Sequence, residues 1–184
     1  MIGCVEQQPD SDGPGSIYLK DFIYGAIDGA VTTFAVVSGV AGAGLSSSII
    51  IVLGIANLVA DGFSMAVSNF LGSRAENQAM DKQGIVGNHQ KSSIRAALVT
   101  LVAFIIVGSI PLLSFVTNWI APGTIASPFL WSSLLTGIAF FAVGASKSRF
   151  VTQHWMWCGV ETLAVGGIAA SIAYGIGLLL EGVV

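Results

Sequence analysis

The chain has 184 residues, 54% hydrophobic and 9% charged, where soluble domains carry about 25% charged residues. Mean hydropathy is +0.83 and the net charge is −3. These values exclude an ordinary soluble domain, offer no basic surface for nucleic acid, and point to a polytopic membrane protein. The two cysteines, Cys4 and Cys158, make neither a disulfide framework nor a metal-ligand spacing.

Residues 1–19 are polar and acidic, with Glu6, Asp10 and Asp12. They lack the basic start and early apolar run of a secretory signal and read as a disordered leader. About 20 apolar residues cross the hydrocarbon core as a helix. Segments near 22–43, 48–71, 94–115, 128–146 and 157–180 meet that length. Backbone groups in lipid must be paired within the segment, so all five are expected to be helices. Pro111 should kink the third. The connectors are residues 44–47, a polar stretch at 72–93, a turn at Ala121-Pro122-Gly123, and 147–156. The expected fold class is therefore an all-α integral membrane protein with five transmembrane helices, a single domain over 20–184.

With five spans, alternate connectors share a side. Lys20, Arg74, Lys82, Lys91, Arg95, Lys147 and Arg149 then all fall on one side. The positive-inside rule makes that side cytosolic, so the N-terminus is cytosolic and the C-terminus lies on the opposite side. Tyr18, Tyr24, Trp119, Trp131, Trp155 and Trp157 fall near span ends, where an aromatic belt belongs.

Within this frame the carboxylates acquire depth. At about 1.5 Å per residue, Asp28 lies about 9 Å below the cytosolic edge and Glu161 about 6 Å. Met65 comes to a similar depth on the second span, with Asp61 one turn deeper. An acid at a span centre costs about 2.5–3.5 kcal/mol on the insertion scale, so these groups should face the bundle interior or water. Asn57, Asp61 and Met65 are spaced by four and form one stripe; Asp21, Asp28 and Thr32 line up on the first span. Glycines at 25, 29, 39, 42, 54 and 62 permit close helix approach. Carboxylates without a basic partner in the spans suit a cation site or a proton relay, and oxygen with thioether sulfur suits a borderline divalent transition metal. The bland reading makes the acids protonated helix glue, Met65 packing, and Cys158 a small apolar residue. His89 and His154 read as solvated. Glu76 and Asp81 read as loop charges, with Glu76 a candidate for the cavity entrance.

The segments DFIYGAIDGAVTTFAVVSGVAGAG, ANLVADGFSMAVSNFLG and CGVETLAVGG resemble the vacuolar iron transporter family over nearly the whole chain from Lys20 on. The resemblance implies a two-fold homodimer that moves Fe²⁺ or Mn²⁺ out of the cytosol in exchange for protons. It carries Asp28 and Met65 onto the path at the dimer axis, with Asp28 and Asp61 as candidates for proton coupling and Asp61 and Glu161 as further candidate metal ligands. No cofactor is implied; the metal is the transported substrate. The chain departs from the long members by lacking their glutamate-rich metal-binding domain between spans two and three. It has Asn69 where many have a glutamate, and Asp61 where plant members are small and apolar. It is similar to the shorter bacterial forms, which implies the bacterial plasma (inner) membrane.

Two other classes are weighed beside this. An intramembrane aspartyl protease could pair Asp28 with Asp61 across facing helices, but the Tyr-Asp and Gly-x-Gly-Asp motifs are absent and Met65 has no use there. A non-transporting structural subunit would use the acids only as hydrogen-bonding glue.

Overall fold

The computed structural model describes residues 18–82, 91–149 and 152–182. Residues 1–17 of the expected leader 1–19, and His89, lie outside them, and Leu19 of that leader already belongs to the first helix. Six α-helices follow in order: α1 (Leu19–Gly42), α2 (Ser47–Lys82), α3 (Ser93–Gly108), α4 (Leu113–Ile120), α5 (Pro128–Ser146) and α6 (Trp155–Leu180). No strand occurs among the described residues. Five continuous stretches are long and apolar enough to cross a membrane: Leu19–Gly42, Ser47–Lys82, Ser93–Ile120, Pro128–Arg149 and Trp155–Leu180. These are the expected five spans.

The helix ends have local causes. After α1, Gly44 adopts φ +67, and the Leu45 and Gly44 amides donate to the Val40 and Ala41 carbonyls at 3.2 and 3.1 Å. This is a Schellman cap, and it needs a residue free of a Cβ penalty at that position. Pro111 interrupts the third span with a 3-10 turn at Ile110–Leu112, which separates α3 from α4 as the expected kink. Pro128 opens α5 in the first turn, where a missing amide costs nothing.

One boundary differs from expectation. Residues 72–82 belong to α2 and are not loop. The stretch Ser73–Lys82 holds no proline or glycine and is rich in Ala, Glu, Gln, Met and Lys, so helix propensity carries the ladder past the apolar run. At 36 residues α2 is about 54 Å long, well beyond a hydrocarbon core of about 30 Å. Its last turns project from the bundle.

α1 is the central helix, in contact with α2, α3, α5 and α6. Phe34, Val37, Phe104, Phe115 and Phe140 form the core around it. Elsewhere the buried surfaces are made of small residues. α6 buries only Cys158, Gly159, Thr162, Gly166, Ala170 and Gly177. Large apolar side chains point outward instead, among them Leu179 at 81% and Trp157 at 71% exposure. A protein that buries small residues and exposes large apolar ones is built for lipid. Glycines bring α1 close to α6, where Gly42 meets the Tyr174 carbonyl and Gly177 the Gly39 carbonyl, and close to α3: a Cβ added at Gly25 or Gly29 would stand 2.5 Å from the carbonyl oxygen of Thr100 or Phe104.

Candidate functional site

The glycine contact sets the direction of Asp28. Gly25 and Gly29 face α3, and Asp28, one residue before Gly29, is turned about 100° away toward α2. α2 presents a matching register. Its buried stripe is Ile50, Gly54, Leu58, Gly62 and Ala66, each four residues apart. Asn57, Asp61 and Met65 each precede one of these and so form the adjacent stripe, beside the buried one.

Between the two helices lies a cavity of about 590 Å³. α1 contributes Lys20, Asp21, Tyr24 and Asp28. α2 contributes Asp61, Ser64, Met65, Ser68, Asn69 and Glu76, and Lys91 reaches in from just before α3. Asp28, Asp61 and Met65 are each half-buried. Four of the five residues expected at the site, Asp28, Met65, Asp61 and Glu76, therefore share one cavity. Glu76 is exposed, on the projecting part of α2. Asn57 stands one turn beyond Asp61, and its amide nitrogen has no partner among the described residues.

Glu161 is elsewhere. It lines a separate groove with Gln153, His154 and Trp157, and its carboxylate pairs with Lys147 at 3.2 Å. The expected convergence of three acids reduces to two within one protomer, because depth along the membrane says nothing about position around the bundle. Gly29 faces α3. Thr32 shares the Asp28 face, but its hydroxyl donates to the Asp28 backbone carbonyl at 2.9 Å, a helix-internal bond. Cys158 is fully buried as a small core residue. His154 is exposed and caps α6, its Nδ1 accepting from the Met156 amide at 3.4 Å.

The carboxylates of Asp28 and Asp61 accept no hydrogen bond and form no ion pair among the described residues. Helix glue needs a bonded donor on the neighbouring helix, and among the described residues neither carboxylate has one, although Ser64 and Ser68 of α2 line the same cavity. Two carboxylates and a thioether offer oxygen and sulfur donors to one cavity. Among the described residues no three His, Cys, Asp or Glu side chains come close enough together to hold a metal ion.

Three residues of the cavity were not among the site residues expected from the sequence. Asp21 is 6% exposed, and its carboxylate accepts Lys91 Nζ on both oxygens at 3.1 and 3.2 Å. Asn69 donates its side-chain amide to the same carboxylate at 3.0 Å and also to the Thr100 hydroxyl. The spacing of seven had already placed Asp21 on the Asp28 face, without marking it for the cavity. Nothing in the sequence marks Lys91 among the loop lysines.

A family model described as the VIT family matches residues 19–86 and 79–178. Proteins named vacuolar iron transporter from Toxoplasma gondii and Plasmodium berghei are 27% and 24% identical, over 92% and 89% of this chain and 76% and 82% of their own. A protein of the same name from Centaurea cyanus is 22% identical over 85% of each chain. The first two alignments run to 231 and 225 positions, more than the 184 residues available here, so those relatives contain residues this chain lacks. The two matched pieces meet at 79–86, at the connector between α2 and α3.

Proposed function

We propose, from the premise that the chain belongs to the VIT family, that it moves Fe²⁺ or Mn²⁺ out of the cytosol in exchange for protons along a path lined by Asp28 and Met65. Members of this family are transporters and not enzymes, which removes the protease reading of Asp28 and Asp61. One observation carries the proposal. Asp28 and Asp61 hold unpartnered carboxylates within apolar spans, in a cavity that also receives the Met65 thioether. Ionised groups placed there at a cost of several kcal/mol need a ligand to offset it. Carboxylate oxygen with thioether sulfur favours a borderline divalent transition metal over Mg²⁺ or Ca²⁺.

Proton coupling follows from the same atoms. A proton and a divalent cation compete for the Asp28 oxygens, so metal arriving from the cytosol releases a proton and a proton arriving from the far side releases metal. Asp61, one turn deeper, relays the proton. A second copy related by a two-fold axis completes the shell, each copy giving an Asp28 and a Met65. Lys20, Lys91 and Lys147 line cavities at one end of the bundle, which supports a cytosolic placement of that end. We assign the chain to the bacterial plasma membrane from the short α2–α3 connector, and read 20–184 as one transporter domain behind a leader.

The test is uptake into vesicles of purified protein, comparing Fe²⁺, Mn²⁺, Co²⁺ and Zn²⁺ under an imposed pH gradient. Asp28→Asn should abolish metal flux and metal-driven proton movement together. Unchanged flux at matched protein amount refutes the role of Asp28.

A further inference from the structure

One carboxylate of the cavity differs from the rest. Asp28 and Asp61 are unpartnered, whereas Asp21 is already occupied by a cation belonging to the chain. The Lys91 ammonium meets both of its oxygens at 3.1 and 3.2 Å, with side chains 20% and 8% exposed. Asp21, Lys91 and Asn69 line the same cavity as Asp28, Asp61 and Met65. We infer that Lys91 is a tethered competitor that fills the Asp21 carboxylate at the cavity mouth and so sets how tightly the cavity holds an incoming divalent cation. The inference rests on the metal-transport reading above and adds Lys91 and Asp21 to it as residues that determine affinity.

The charge inventory gives the sign. Asp21, Asp28, Asp61 and Glu76 face Lys20 and Lys91, a net −2 when all are ionised. Asp21 lies seven residues from Asp28, about 10.5 Å along the helix axis. Without the ammonium it would be a second binding station on the way in. A permeation path must bind its ion firmly enough to admit it and weakly enough to release it. Lys91→Gln takes the cavity to −3 and frees Asp21, so metal binds more tightly and leaves more slowly. Asp21→Asn takes it to −1 and leaves an ammonium loose in the path, so metal binds less well. A pair that only ties α1 to the start of α3 gives a different pattern: breaking it from either side weakens the fold, and both variants change in the same direction.

The experiment uses full-length protein in proteoliposomes with Mn²⁺ as the probe, reading initial rates and equilibrium Mn²⁺ binding. Lys91→Gln should lower KM and Kd by about tenfold and lower kcat, while Asp21→Asn should raise KM and Kd by about tenfold, a coupling of ordinary size. The double variant should fall between the two, and Lys91→Arg, which keeps the charge, should stay within about twofold of wild type. Shifts of the two single variants in the same direction, or no shift in either, overturn the inference. Where Lys91→Gln does not fold, Asp21→Asn decides by Kd read beside Tm: a higher Kd at unchanged Tm supports the inference, and an unchanged or lower Kd, or a rise in Kd that comes with a loss of Tm, overturns it. A wild-type protein that carries neither Mn²⁺ nor Fe²⁺ overturns the transport reading and this inference with it. Wild-type transport with same-direction shifts overturns the inference only.

Discussion

Replacing Gly29 with alanine tests the contact on which the geometry of the cavity depends. The added methyl would lie 2.5 Å from the Phe104 carbonyl oxygen and 2.9 Å from its Cα. Both are backbone atoms of α3, so no side-chain rotation relieves the clash. Ordinary contact begins at 3.4 Å, and the two helices must part by about 0.9 Å along that line. Overpacking of this kind costs about 1–3 kcal/mol, and for a chain of this size each kcal/mol lowers Tm by about 2–4 °C. Gly167→Ala is the control. Nothing lies within 4 Å of its added methyl, and alanine favours a helix over glycine by about 0.5–1 kcal/mol, so its Tm should hold or rise. Thermal unfolding of purified protein, followed by fluorescence, separates the two variants. Transport gives a second reading. Asp28 is the next residue, and a shift approaching 0.9 Å exceeds the tolerance of about 0.2 Å in metal–ligand distances. Folded Gly29→Ala should therefore show a raised KM for Mn²⁺. If Gly29→Ala melts with Gly167→Ala and transports like wild type, α1 does not rest on α3 through this glycine and the orientation argument for Asp28 falls.

Met65→Leu keeps volume and removes the sulfur, so Fe²⁺ flux should fall by about tenfold or more with a stability cost below about 1.5 kcal/mol; equal loss of Tm and flux would assign Met65 to packing. Glu161 is 57% exposed and paired with Lys147, so Glu161→Gln should leave the KM for Mn²⁺ within about twofold, as expected of a surface pair worth about 0–1 kcal/mol; a loss of flux would return Glu161 to the site. In a background without reactive cysteines, Gln78→Cys should label only from the cytosolic side and Ala126→Cys only from the opposite side; labelling of both from one side would refute the five-span orientation. Thr32→Cys should cross-link two copies in native membranes where Gly29→Cys, facing α3, does not; the reverse pattern would move the dimer axis.

The five spans were legible in the sequence because lipid leaves the backbone one option, and a run of about 20 apolar residues is enough to declare it. The stripe of Asn57, Asp61 and Met65 was legible for a similar reason: a spacing of four is a geometric property of a single helix. Rise per residue is constant, so depth could be reckoned from the sequence, and that reckoning put Asp28 and Met65 at one level with Asp61 one turn deeper. What depth cannot supply is the angle around the bundle. Glu161 sits at a comparable depth yet lies in another groove with Lys147, because α6 turns its small residues inward and its acid outward. The direction of Asp28 was likewise decided by a contact between helices, where Gly25 and Gly29 allow the α3 backbone to approach. Lys91 is the extreme case. Seventy residues separate it from Asp21, and only the packing of α3 beside α1 turns an ordinary loop lysine into an ammonium paired with Asp21 in the cavity.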